Sequence, residues 1–183
     1  MGAGNLGWDH RLVCRALAGI ETGVLGGLVM FGVLAAGSLV DFRTPWVLPN
    51  LLGSALNGHP ALDASFGWVT VSGLGLHVLI AGLIGIVFGI VAGASRRRLR
   101  VTLLGILVGL CWHFFSQAWF ASKLGVLVTV YSPSRPFFLA HLAYGIVLGW
   151  FPGRLRALER AWGLAAPLEM HETPHAPGGV EQP

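Results

Sequence analysis

The sequence predicts an all-α fold: a bundle of four transmembrane helices with both termini in the cytoplasm. Three observations carry that reading. Only 11% of the 183 residues are charged and 54% are hydrophobic, where a soluble domain carries roughly 25% charge, so lipid is the solvent for much of the chain. Residues 101–121, 21 in all, contain no Asp, Glu, Lys or Arg. A helix of that length crosses a hydrocarbon core of roughly 30 Å at about 1.5 Å per residue. The third observation is where the cations fall. Nine of the 12 Lys and Arg flank one set of helix ends: Arg11, Arg15, Arg96, Arg97, Arg98, Arg100, Arg154, Arg156 and Arg160. Arg43, Lys123 and Arg135 lie at the other end. Cytoplasmic ends of membrane helices carry such an excess. It accounts for the net charge of +4 and the pI of about 9.8 without a nucleic-acid partner.

The first span is expected over residues 17–40, after a basic approach at Trp8, Asp9, His10, Arg11 and Arg15. Ala35-Ala36-Gly37 before Ser38 imitates a signal-peptide cleavage site. The long apolar run, with Glu21 inside it, favours an uncleaved helix. Residues 44–57 mix Pro45, Trp46 and Pro49 with leucines and read as a short helix at or dipping into the outer surface. The second and third spans are expected over 72–94 and 101–121. Residues 123–136 form a second outer loop broken by Pro133 and Pro136. The fourth span, 137–151, is short and expected to end at Pro152-Gly153-Arg154. An amphipathic cytoplasmic helix over 154–164 completes a single transmembrane domain, 1–164. The Pro-rich remainder, 165–183, reads as a disordered cytoplasmic tail.

Each span carries glycines four residues apart: Gly19, Gly23 and Gly27; Gly85, Gly89 and Gly93; Gly105 and Gly109; Gly145 and Gly149. In lipid, apolar burial no longer drives helices together, and close backbone approach over small residues takes its place. The pattern predicts tight helix contacts, either within the chain or with a partner subunit. Cys14 and Cys111 are expected at different depths, which argues against a disulfide between them.

One ionisable residue sits inside each span: Glu21, His77, His113 and His141. Counted from the cytoplasmic helix ends, His77 lies roughly 27 Å in, His113 roughly 20 Å and His141 roughly 18 Å, while Glu21 lies only about 9 Å in. Three histidines thus fall in the outer half. Glu21 is expected to reach the inner interface or to pair with Arg15. At 100° per residue His113 shares a face with Gly109 and Gln117, and His141 one with Tyr144 and Gly145, so both look toward helix contacts. His77 shares a face with Ala81 and Ile84, away from the Gly85, Gly89, Gly93 ridge, which leaves its direction open.

Three outer-half histidines suit zinc or another transition metal, and two suit axial haem ligation. A proton relay is a second chemical use. The alternative is that each imidazole bonds a neighbouring helix through Gln117, Ser116, Tyr144 or a backbone carbonyl. No His-x3-His pair, nucleophile–base pair or nucleotide-binding loop is present, so catalysis is not expected.

Ala18-Gly19 with Gly23, His77 opening the second span, Gly105 and Gly109 followed by His113, and His141-Leu142 together resemble the YagU-like family of bacterial inner-membrane proteins. The resemblance covers the spans and neither tail, and the outer segments depart from it. It implies four spans in the bacterial inner membrane and a shared histidine placement, and carries no activity. The first functional expectation is therefore a non-enzymatic structural or accessory subunit. Its glycine faces and outer loops would meet lipid, further copies of the chain or a larger membrane complex. A metal- or haem-binding protein using His77, His113 and His141 is the second expectation. A proton or small-solute conduit lined by these groups and Glu21 is the third.

Overall fold

A computed structural model describes residues 6–41, 43–58, 65–93, 95, 97–124 and 134–164. All the regular structure among them is helical: α1 Leu6–Val40, α2 Val47–Asn57, α3 Trp68–Ala92, α4 Arg98–Leu124, α5 Ser134–Leu148 and α6 Phe151–Ala161. Four stretches are long and apolar enough to cross a membrane: His10–Val40, Trp68–Ala92, Arg98–Trp119 and Arg135–Ala161. Most of the second outer loop and the tail at 165–183 lie outside the described residues.

Helix α1 starts well before the expected boundary. Its 35 residues extend for roughly 52 Å, so the basic approach forms the first turns of the same helix. Those turns are held by tertiary contact. Cys14 and Ala18 are fully buried in one core with Phe88, Leu148, Phe151 and Leu155, and His10 meets Trp162 edge to face at 6.1 Å. Both cysteines are free, with Cys111 exposed on α4.

The glycine ridges are consumed within the chain. Antiparallel α1 and α3 meet in four-residue steps: Arg15 against Gly89, Gly19 against Gly85, Gly23 against Ala81 and Gly27 against His77. A Cβ added at Gly23 would lie 2.5 Å from the Ala81 carbonyl oxygen, and one at Gly85 would lie 2.8 Å from the Gly23 Cα. Helices α4 and α5 repeat the device. A Cβ at Gly109 would sit 2.5 Å from the His141 carbonyl oxygen, and one at Gly145 2.7 Å from the Ile106 Cα. Gly149 faces Thr102. Gly93 is the exception to the expected ridge. It ends α3 at φ +56°, a conformation that costs glycine little.

Helix α1 is central, packing against α3 on one side and α5 on another, with α4 packed on α5 and α2 on α3. Helices α3 and α4 are neighbours in sequence but touch little. The gap between them matters below. The segment expected at the outer surface is docked rather than loose: Leu48, Pro49, Asn50, Leu51, Gly53 and Ser54 of α2 are buried. Asn50 accepts a hydrogen bond from the Thr70 hydroxyl at 2.6 Å and donates to the Ser65 carbonyl at 3.1 Å. The close approaches of the Pro49 carbonyl to Gly73 and of Gly53 to the Val69 carbonyl complete the α2–α3 contact.

The fourth candidate span also differs from expectation at its C-terminal end. Pro152 opens α6 instead of closing α5. Proline has no N–H to donate, and the first helical turn is where that loss is free. The junction is tightened by bonds from the Gly149 and Trp150 amides to the carbonyls three residues back, at 3.0 and 2.9 Å.

Leucine at Gly23 or Gly145 must separate two backbones, and overpacking of this kind costs about 1–3 kcal/mol. Thermal unfolding of the detergent-solubilised protein is expected to fall clearly in Gly23→Leu and Gly145→Leu. Gly32→Ala, which would meet no atom within 4 Å, should melt with wild type or slightly above it.

Candidate functional site

The ridges that bind the helices also place the histidines. His77 is the next four-residue step beyond Ala81 on the α1–α3 contact, so it points at α1, a direction the helical wheel left open. Residues four apart drift about 40° around a straight helix, but a partner that crosses at an angle follows that drift. His77 Nε2 lies 2.9 Å from the Gly27 carbonyl oxygen. A carbonyl only accepts, so Nε2 carries the proton and Nδ1 keeps a lone pair.

On the other contact, Gly109 sits against the His141 carbonyl and His113, one step on, reaches Phe137 at a ring separation of 5.5 Å. His141 is fully buried and His113 is 8% exposed. Their rings meet edge to face at 5.0 Å, and Phe114 and Phe138 close in on His113 at 5.1 and 5.6 Å. The Nδ1 of His141 lies 2.8 Å from the Phe137 carbonyl oxygen in its own helix. By the same reasoning it donates there and leaves a lone pair on Nε2. That Nε2 is buried without a partner among the described residues, as is Nδ1 of His113.

His77 and His141 line one chamber of about 60 Å³ in the gap between α3 and α4, together with Ser116, Gln117, Trp112 and Met30. Leu48 and Leu51 of α2 form part of its wall. A smaller space of about 30 Å³ shares Met30, His77 and Trp112 and reaches Tyr144. Tyr144 does not serve the histidines, as one expectation had it. Its hydroxyl donates to the Ala81 carbonyl at 2.8 Å, tying α5 to α3, and Gly26 makes room for its ring.

Several expectations are corrected by this geometry. Of the three histidines, His113 and His141 touch, and His77 joins His141 on the chamber wall, but no metal cluster results. Among the described residues no group of three or more His, Cys, Asp or Glu could hold a metal ion. The reason is local: His113 meets His141 ring edge to ring face at 5.0 Å instead of sharing a point with it, and His77 is turned to the Gly27 carbonyl of α1. Haem does not fit either. Ligand pockets run from roughly 300 Å³ upward, and two imidazoles in van der Waals contact leave no gap for a macrocycle. Glu21 stands apart from the histidines and pairs with Arg154, not Arg15, accepting from its Nε at 2.7 Å. That bond joins α1 to α6.

Sequence reasoning missed Met30, Trp112 and the α2 leucines as chamber walls, and Arg154 as the partner of Glu21. Trp112 and Ser116 flank His113 in sequence, so the face of α4 held a usable signal. The α2 contribution carried none, because it depends on how α2 folds back on α3. No family model, curated protein or solved structure matches the chain.

Tyr144→Phe removes one interhelical hydrogen bond and leaves the ring in place. Such bonds between membrane helices average about 0.6 kcal/mol. The variant should therefore unfold slightly earlier in a denaturant titration in mixed micelles, with its helical content unchanged.

Proposed function

We propose that this chain is a non-enzymatic, multi-pass accessory protein of the bacterial inner membrane; the four spans agree with the YagU-like resemblance, which carries no activity. Its four spans form one bundle with both termini in the cytoplasm, and its polar centre is the histidine chamber. The chamber takes a small hydrogen-bond donor: water, ammonia or the head of a primary amine.

One observation carries the reading. The Nε2 of His141 is buried without a hydrogen-bond partner among the described residues, and His141 belongs to the chamber wall. A buried polar atom left without a partner costs about 1–3 kcal/mol, and buried waters or ligands are what usually satisfy it. The lone pair on His77 Nδ1 asks for the same kind of guest. At roughly 10–15 Å³ of accessible space per water, about 60 Å³ holds a few waters or one small solute. A guest that only accepts hydrogen bonds gains nothing from two lone pairs. The conduit reading is supported less well, since Glu21 lies away from the histidines and the large side chains of Phe88, Tyr144, Leu148 and Phe151 are fully buried nearer the inner end.

Nitrogen-15 spectra of histidine-labelled protein in micelles test this directly. Ammonium chloride, as the source of ammonia, should move the unprotonated nitrogens of His77 and His141, and sodium chloride should not. In His141→Phe the response of His77 should shrink. Identical spectra in the two salts would refute ammonia as the guest of the chamber.

A second reading, contact with a partner subunit, is favoured by one face of α4. Helix α4 packs mainly on α5 and leaves Leu103, Leu107, Phe114, Phe115 and Trp119 between 44% and 67% exposed, with Cys111 exposed beside them. Thiol-directed crosslinking in native membranes should then give a discrete adduct that disappears in Cys111→Ser. Unmodified monomer alone would leave this face to lipid.

A further inference from the structure

We infer that the arginine-rich end of the molecule holds a specific site for one anionic phospholipid, an inference that rests on the membrane-spanning reading above. Two adjoining hollows form it. The first is a cleft of about 290 Å³ where Arg98, at the start of α4, converges with Arg154 and Arg156 of α6 around Trp150 and Gly153. The second is a mainly apolar groove of about 620 Å³ along α1, lined by Ile20, Val24, Leu25 and Leu28 with Glu21 and Thr22 at its polar end beside Arg154. Trp150 and Arg154 belong to both, so the polar cleft opens directly onto the apolar groove.

Charge sets the class of headgroup. Arg154 is partly neutralised by Glu21 through its Nε, whereas Arg98 and Arg156 are exposed and carry no such ion pair among the described residues. Three guanidiniums against one carboxylate leave the cleft with two net positive charges. The helix ends add little, because the C-terminus of α5 and the N-terminus of α6 meet at the same junction and their partial charges oppose. Guanidinium groups bind phosphate oxygens in a planar, bidentate fork, and basic pockets between membrane helices on the cytoplasmic side recognise anionic headgroups.

The groove decides for a lipid over a soluble anion. Ile20, Val24 and Leu28 stand four residues apart and form one stripe on α1, about 12 Å long. Ile20, Leu25 and Leu28 are 39–54% exposed, and Trp150, 47% exposed, stands where the stripe meets the arginines. Tryptophan with an apolar body and a polar N–H suits that boundary. A headgroup phosphate on Arg98 and Arg156 with an acyl chain along the stripe fills both hollows at once. The arginine excess of this end is explained by topology alone; the convergence of Arg98 from one helix with Arg154 and Arg156 from another is not.

Native mass spectrometry of the full chain, released from micelles with added phosphatidylglycerol or phosphatidylcholine, tests the site. The expected result is one retained phosphatidylglycerol and no retained phosphatidylcholine, with retention at least tenfold weaker in Arg98→Gln/Arg156→Gln. Arg11→Gln/Arg100→Gln removes the same charge from the same end but outside the cleft and should bind as wild type does. Inorganic phosphate should neither bind nor displace the lipid. Equal retention of the two lipids, equal loss in both double variants, or displacement by inorganic phosphate would each overturn the inference. Whether the chain stays in the membrane fraction until detergent is added is scored separately: its release by salt or alkali alone would overturn the membrane reading itself.

Discussion

Four helical stretches of this chain are long and apolar enough to cross a membrane; in lipid, apolar side chains gain little by leaving that surface for one another, and contact comes from backbones brought close. The α1–α3 and α4–α5 seams meet that demand in the same way. At Gly19, Gly23, Gly85, Gly105, Gly109 and Gly145 an added Cβ would collide with backbone atoms of the facing helix. The Tyr144 hydroxyl, the Glu21–Arg154 pair and the α2–α3 hydrogen bonds are additions to helices already set in register by these seams.

Register then dictates where polar groups go. Both histidine-bearing seams advance in steps of four, and a histidine occupies the step after the last small residue in each: His77 after Ala81, His113 after Gly109. An imidazole is larger than the small residues before it, and His77 spans to α1 through its bond to the Gly27 carbonyl. The chamber lies between the loosely associated α3 and α4, with His77 and His141 on its wall. The polar site thus stands where the run of small residues ends, and α2 adds part of its wall.

Much of this was legible in the sequence. Hydropathy marked four membrane-spanning candidates, because a helix that must satisfy its own backbone in lipid has to be long and apolar. The glycine spacing announced seams, and the faces of His113 and His141 were read correctly as turned inward. Depth was read less well. Counting from each helix's own cytoplasmic end put His77 several ångströms beyond His141, yet the two line one chamber. The contact of His77 with Gly27 fixes its level instead. Glu21 was assigned a partner on its own helix because Arg154 is 133 residues away in sequence.

What the sequence by itself determined is the class of molecule and the residues that had to be special. An apolar chain with one-sided arginines, small residues every fourth position and one ionisable group per span leaves few other architectures. The tertiary structure alone decided which seam each ridge enters, which nitrogen of each histidine is spent, and that three histidines make a pair and a chamber wall instead of a metal site. Those outcomes depend on crossing geometry and on tenths of an ångström between facing backbones, which no one-dimensional spacing contains.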